Sequence, residues 1–117
     1  MTSDDCLFCR IAAGEIPATI VYSTERTVGF RDINPHAPVH VLVIPRAHHR
    51  DLAALVDADP GLAADVLASV KAVAEAEGLE PTGYRTIFNS GADSGQMVPH
   101  VHAHVLGGKP LGVGLAD

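Results

Sequence analysis

Apolar positions change their period several times along this chain, and each change marks an element. Within residues 4–14 they fall at Leu7, Phe8, Ile11 and Ala12, the spacing of one helix face. Gly14 and then Pro17 stop that helix. Residues 19–23 (TIVYS) and 27–33 (TVGFRDI) are rich in β-branched and aromatic side chains. The polar stretch Thr24-Glu25-Arg26 between them makes the pair a hairpin. Asn34-Pro35-His36-Ala37-Pro38 is turn chemistry, and residues 39–44 (VHVLVI) form a third strand closed by Pro45.

Asp59-Pro60 reads as an N-cap followed by proline at the first helical position. Leu62, Val66, Val70 and Val73 then recur on one face, and Gly78 stands where a C-terminal glycine belongs. Two more strands are expected at 84–90 (YRTIFNS) and 101–106, separated by a glycine-rich loop over 91–96. The tail from 108 is glycine-rich and expected to be loose. The order is helix, three strands, helix, two strands. Short connections then favour an α+β fold, a five-stranded antiparallel sheet with two helices packed on it.

Composition narrows the function classes. A chain of 117 residues with 47% hydrophobic and 19% charged residues suits one folded domain. No apolar run approaches the ~18 residues a membrane helix needs. The opening residues are acidic and polar, unlike a secretory signal, so a cytoplasmic location is expected. Two cysteines are too few for a disulfide scaffold. A net charge of −6 without a basic run argues against nucleic acid as partner. The unusual count is seven histidines beside eight lysines and arginines together.

Three of those histidines, His100, His102 and His104, alternate with Val101, Ala103 and Val105. On a strand they share one face, and the apolar residues share the other. Aligned imidazoles pack poorly in a core, because each needs a polar partner when buried. They do concentrate nucleophile, base and donor, although a facial metal site is an alternative. Just upstream, Asn89-Ser90-Gly91-Ala92-Asp93-Ser94-Gly95-Gln96 offers small residues whose backbone N–H groups can approach an anion closely. Asn89 and Gln96 can add side-chain donors. A neutral imidazole attacks phosphorus and splits a displacement into two steps. The central His102 is the natural nucleophile, with His104 as a donor to phosphate or leaving group. Separately, Cys6-x-x-Cys9 has the spacing of a zinc pair, with a redox pair or two free thiols as alternatives.

At these residues the chain resembles the histidine triad superfamily, in its Hint-type branch. HVHAHVL at 100–106 fits the signature His-φ-His-φ-His-φ-φ, where φ is hydrophobic. CLFCRIAAGEIPA, FRDINPHAPVHVLVIPRAHH and GYRTIFNSGADSGQ extend the match over nearly the whole chain. The resemblance implies a homodimer whose sheets join into one. It implies hydrolysis of nucleoside phosphoramidates, typically adenosine 5′-phosphoramidate, through a nucleotidyl-histidine intermediate and without an organic cofactor. The superfamily alternatives are dinucleoside polyphosphate hydrolysis, nucleotidyl transfer, and a purine-nucleotide-binding module with little turnover.

By the same resemblance His102 is the nucleophile, His104 contacts the phosphate, and His40 is a fourth histidine supporting the triad. Asn89, Gly95 and Gln96 correspond to phosphate-side contacts, and Asp32 to the acceptor of the ribose hydroxyls. Leu7, Phe8, Ile11, Phe30 and Ile33 correspond to the apolar base pocket. Bacterial relatives with zinc imply Cys6, Cys9, His48 and His100 as ligands, with His49 competing for the place of His48. A closed site of that kind is structural and ties the first helix to the sheet. The chain departs from the pattern at Met97, where many relatives carry serine or threonine, and at Pro99, where relatives often carry an aromatic residue. It has no tryptophan, so contacts made by a C-terminal tryptophan in some relatives are not carried over.

Overall fold

The structure, a computed structural model, describes residues 5–114. The acidic opening at 1–4, which includes the first position expected for the N-terminal helix, lies outside the described residues, as do 115–117 of the expected tail. Helix α1 (Leu7–Ala12) leads into strands β1 (Ile20–Ser23), β2 (Thr27–Arg31) and β3 (Val39–Pro45). Helices α2 (Leu52–Ala58) and α3 (Pro60–Ala76) follow, then β4 (Tyr84–Phe88), a 3-10 turn (Ala92–Ser94) and β5 (Ala103–Gly107). All strand pairs are antiparallel, in the order β1-β2-β3-β5-β4. The expected α+β architecture is present. No helix among the described residues is long and apolar enough to cross a membrane.

The helices begin and end by identifiable chemistry. Cys6 caps α1, its Sγ accepting from the Cys9 backbone N–H, and Gly14 leaves the helix at φ +77°. Asp59 caps α3 by accepting from the Leu62 amide at 3.0 Å. Helix α2 is absent from the two-helix expectation and is a correction to it. Asp51 caps it by accepting from the Ala54 amide at 3.0 Å, and Leu55 is buried beneath it. Its seven residues are too few to establish a period in the sequence. Asp59 ends α2 and starts α3, so the two helices share one residue as a joint.

The sheet has helices on both faces. On one side Val41 and Val43 of β3, with Val101, Ala103 and Val105, meet Leu55 of α2 and Val66, Val70 and Val73 of α3. Burial of each such side chain stabilises the fold by roughly 1.5–3 kcal/mol. Gly29 of β2 lets α3 come close, since a Cβ there would lie 3.3 Å from both Val73 Cγ2 and Tyr22 Cβ. On the other side Val28, Phe30, Leu42 and Ile44 pack against Phe8, Cys6 and Cys9. From Val41 to Ile44 the central strand β3 is thus apolar on both faces, which explains the hydrophobic run that follows His40.

Several strand boundaries differ from expectation; β4 stops at Phe88, which leaves Asn89 and Ser90 in the loop. β2 stops at Arg31, which puts Asp32 and Ile33 in the loop that follows. β5 starts at Ala103, so His100 and His102 precede the paired segment. The alternation of faces nevertheless holds, because Val101 joins Ala103 and Val105 in the α3-side core. Residues 108–114 form no helix or strand, and Arg85 Nη2 donates to the Gly112 carbonyl at 2.7 Å.

Candidate active site and metal centre

Register places His104 on the α1-side face, one strand in from the β4 edge. Ile20, Phe30, Leu42, His104 and Ile87 are successive partners across the five strands. Two residues along, on the same face, His40 pairs with Leu106. His40 Nε2 and His104 Nδ1 lie 2.9 Å apart. The ring of His102 meets that of His104 with centroids at 5.0 Å, and Phe8 packs edge-on to His102 at the same separation. The four histidines expected at the site are therefore together. His104, His40, Asn89 and Ser94 line an open groove of about 1190 Å³ along β4.

Hydrogen bonds fix where the protons sit. His102 Nδ1 is 2.8 Å from the His100 carbonyl oxygen. A carbonyl only accepts, so Nδ1 carries the proton and Nε2 keeps its lone pair. His100 Nε2 is 2.8 Å from the Pro45 carbonyl oxygen, so the lone pair of His100 is on Nδ1. The backbone N–H of His36 donates to His40 Nδ1 at 3.1 Å. Nothing in the side-chain pattern of the sequence marks that amide as part of the site.

Burial keeps these rings neutral. Desolvation pushes the pKa of His104 down to about 4, helped by the neighbouring His102 and His40 and opposed by Asp32. His102 and His40 are lowered as well, chiefly by burial. A neutral His102 with a free Nε2 lone pair is the protonation state a nucleophile needs.

The loop at 91–96 is built by its own polar groups. Gly91 and Gly95 both adopt positive φ, +82° and +81°. Gln96 Oε1 accepts from the Gly91 amide at 2.9 Å, while its Nε2 donates to the carbonyls of Arg50 (2.8 Å) and Val98 (2.9 Å). The Gln96 side chain therefore braces the loop. Asn89 Nδ2 donates to the Ser94 carbonyl at 2.8 Å. Asp32 Oδ1 accepts from the Asn34 amide at 2.8 Å, and its Oδ2 lies 3.5 Å from His40 Nε2. Of the expected base-pocket residues, Phe8 and Phe30 are core, stacked edge-to-face at 5.4 Å. Ile11 packs at the margin of that cluster, Leu7 is exposed, and Ile33 is 92% exposed.

The second cluster joins α1 to the segment before β5. Cys6 Sγ lies 3.3 Å from His100 Nδ1, and Cys9 Sγ lies 3.5 Å from the same atom and 3.4 Å from His48 Nδ1. Ligand atoms of Cys6, Cys9, His48 and His100 all fall within 4.8 Å of one another. Tetrahedral zinc with ordinary Zn–S and Zn–N bonds has S···N edges of about 3.6 Å. The donor set and its spacing therefore fit a metal ion. His100 presents its lone pair on Nδ1 because Nε2–H is held by Pro45. Among the described residues it is the ring of His48, not that of His49, that reaches this cluster.

Comparison with known proteins agrees with this architecture. The family profile of the HIT domain matches residues 13–111. The purine nucleoside phosphoramidase of Escherichia coli is 40% identical over 117 residues, covering 97% of this chain and 96% of that protein. A histidine triad protein from Clostridium difficile superposes with a TM-score of 0.93 at 41% identity, covering 98% of this chain and 100% of that one. A HIT family hydrolase from Legionella pneumophila superposes with a TM-score of 0.88 at 46% identity, covering 92% and 96%.

Proposed function

Because the chain belongs to the HIT domain family, we propose that it hydrolyses nucleoside phosphoramidates through a nucleotide covalently attached to His102. The observation that carries this reading is the bond from His102 Nδ1–H to the His100 carbonyl, which leaves Nε2 nucleophilic beside His104. The similarity to a purine nucleoside phosphoramidase supports the choice of bond and of a purine nucleotide.

In the first step His102 Nε2 forms a bond to phosphorus as the P–N bond to the leaving nitrogen breaks. The nitrogen departs as an amine after taking up one proton. In the second step water attacks phosphorus, the bond to His102 breaks, and the proton is returned to solvent. The net change is phosphoramidate plus water to nucleoside monophosphate plus amine. His104 donates to a phosphoryl oxygen, where negative charge gathers as the nucleophile arrives. Asp32, beside His40 at the end of β2, accepts the ribose hydroxyls. Asn89 and the backbone around Gly95 and Gln96 hold the phosphate side, and Phe8 with Ile11, Leu7, Phe30 and Ile33 form the base side.

Cys6, Cys9, His48 and His100 hold zinc in this reading. All four ligands are protein groups, so the ion holds structure and takes no part in the reaction. A second copy of the chain joins edge to edge with this sheet, whose outer strands β1 and β4 each have a partner on one side only. Elution mass by light scattering tests that arrangement.

The test of function is incubation with adenosine 5′-phosphoramidate, following AMP release beside His102→Ala. Release by the native protein, lost in the variant, supports the reading. No release from a folded, metal-loaded protein overturns it.

A further inference from the structure

Within the histidine site, Asp32, His40 and His104 form a tight group of polar side chains, with one atom from each within 4.8 Å of the others. By distance alone it resembles the Cys6 cluster, but its protons are arranged differently. The lone pair of His40 Nδ1 is occupied, because the His36 backbone N–H donates to it at 3.1 Å. An amide is a donor only, so the neutral His40 ring must carry its proton on Nε2. Two acceptors stand on that side, His104 Nδ1 at 2.9 Å and the Asp32 carboxylate at 3.5 Å. A proton shared toward His104 Nδ1 requires a lone pair there. The neutral His104 ring then carries its own proton on Nε2.

We infer that the backbone amide of residue 36, acting through the His40 ring, sets His104 in the tautomer that donates from Nε2. His36 and His40 are positioning residues, and His104 is the group that meets the phosphoryl oxygen. The direction of the chain is fixed at its origin by an amide that cannot reverse, unlike a hydroxyl or a second imidazole. The turn Pro35-His36-Ala37-Pro38 holds that amide over His40, and the two rings lie 5.7 Å apart. The same proton keeps His40 Nε2 from ligating a metal. At the Cys6 cluster the Pro45 carbonyl has the opposite effect and leaves His100 Nδ1 bare. Two clusters of similar spacing are thus sorted into a donor chain and a metal centre by one backbone group each.

The inference rests on the proposed reaction for its purpose, but not for its test. Long-range proton–nitrogen correlation spectra of ¹⁵N-histidine-labelled, metal-loaded protein at neutral pH read each tautomer directly. The expected native spectrum shows protonated Nε2 and bare Nδ1 for both His40 and His104. A protonated Nδ1 on His104 overturns the inference, whatever the enzyme turns over. His36→Pro removes the amide hydrogen within a turn that already holds two prolines. His104 is then expected to populate both tautomers, and kcat for the phosphoramidate to fall by about 10²-fold, the scale of one lost donor to a developing oxyanion. His36→Ala keeps the amide and is expected to keep the native tautomers. His40→Phe breaks the chain at its second member and serves if the proline variant does not fold. An unchanged His104 spectrum in a folded His36→Pro or His40→Phe protein overturns the inference. A native tautomer pattern without any phosphoramidate turnover would instead leave the tautomer chain standing and remove the proposed function.

Discussion

His102 takes its orientation from His100 through the main chain. The His102 Nδ1–H donates to the His100 carbonyl at 2.8 Å, while the His100 ring lies between Cys6 Sγ at 3.3 Å and the Pro45 carbonyl at 2.8 Å. One residue thus has its side chain in the Cys/His cluster and its backbone carbonyl on His102. In the proposed reading, metal binding and nucleophile placement are mechanically joined at that residue.

The first consequence concerns metal removal. Zinc bound by the folded state alone stabilises it by mass action, about 4 kcal/mol at a thousandfold excess over Kd. Chelation is expected to lower Tm by about 10 °C or more. It should also reduce kcat more than it raises KM, because the His100 carbonyl loses its fixed position. Metal content by elemental mass spectrometry, scanning calorimetry and steady-state kinetics on the native protein and Cys9→Ser check this. A metal-free protein with native Tm and native kcat would exclude the coupling.

Replacing the nucleophile separates chemistry from binding. His102→Ala is expected to lose about 10³-fold or more in kcat while AMP still binds within a few fold of the native Kd. Calorimetric titration with AMP beside the kinetic assay distinguishes this from a collapsed site.

Acid stability follows from the depressed histidines. The folded pKa of His104 is about 4 and that of His40 is lowered, both below the ordinary value of 6.5. Between those values the unfolded chain binds protons that the folded chain does not. The contribution is therefore fully present above about pH 6.5 and is lost as pH falls toward 4. Each such group adds at most about 1.4 kcal/mol per pH unit in that window, less for a partly solvated ring. Urea unfolding at pH 7.5 and 5.5 should show lower stability at 5.5, and His104→Gln should flatten the difference. Equal stability at both values would contradict the burial argument.

Gly29 tests the packing of the sheet against α3. A Cβ there sits 3.3 Å from Val73 and from Tyr22, so the branches of a valine have no room. Gly29→Val is expected to cost about 1–3 kcal/mol by overpacking, read as a lower urea midpoint with an unchanged slope. Val73→Ala in the same chain should recover part of it by opening the space.

Much of this is legible in the sequence alone. Asp59-Pro60 and Gly78 bracketed α3, and alternation around His102 placed its neighbours on the correct faces. Helix α2 escaped because its seven residues carry only Leu52, Leu55 and Val56 as an apolar pattern. His48 and His49 are adjacent, so composition could not rank them. The fold does, by turning His48 Nδ1 toward Cys9 and into the cluster. The role of the Gln96 side chain was also hidden, since an amide that donates to a ligand and one that braces its own loop look alike in sequence. The His36 amide was the least visible, because backbone donors have no side-chain signature.

The alternation from His100 to Val105 has a further meaning for how this segment tolerates change. Val101, Ala103 and Val105 answer to the volume of the α3 core, and His100, His102 and His104 answer to chemistry. Substitutions at the first set are negotiable in size, those at the second in almost nothing. Length is not negotiable for either. Deleting or inserting one residue here would exchange the two sets, sending imidazoles into the aliphatic layer and valines into the site. The segment behaves like a reading frame, in which a shift by one position destroys both messages at once.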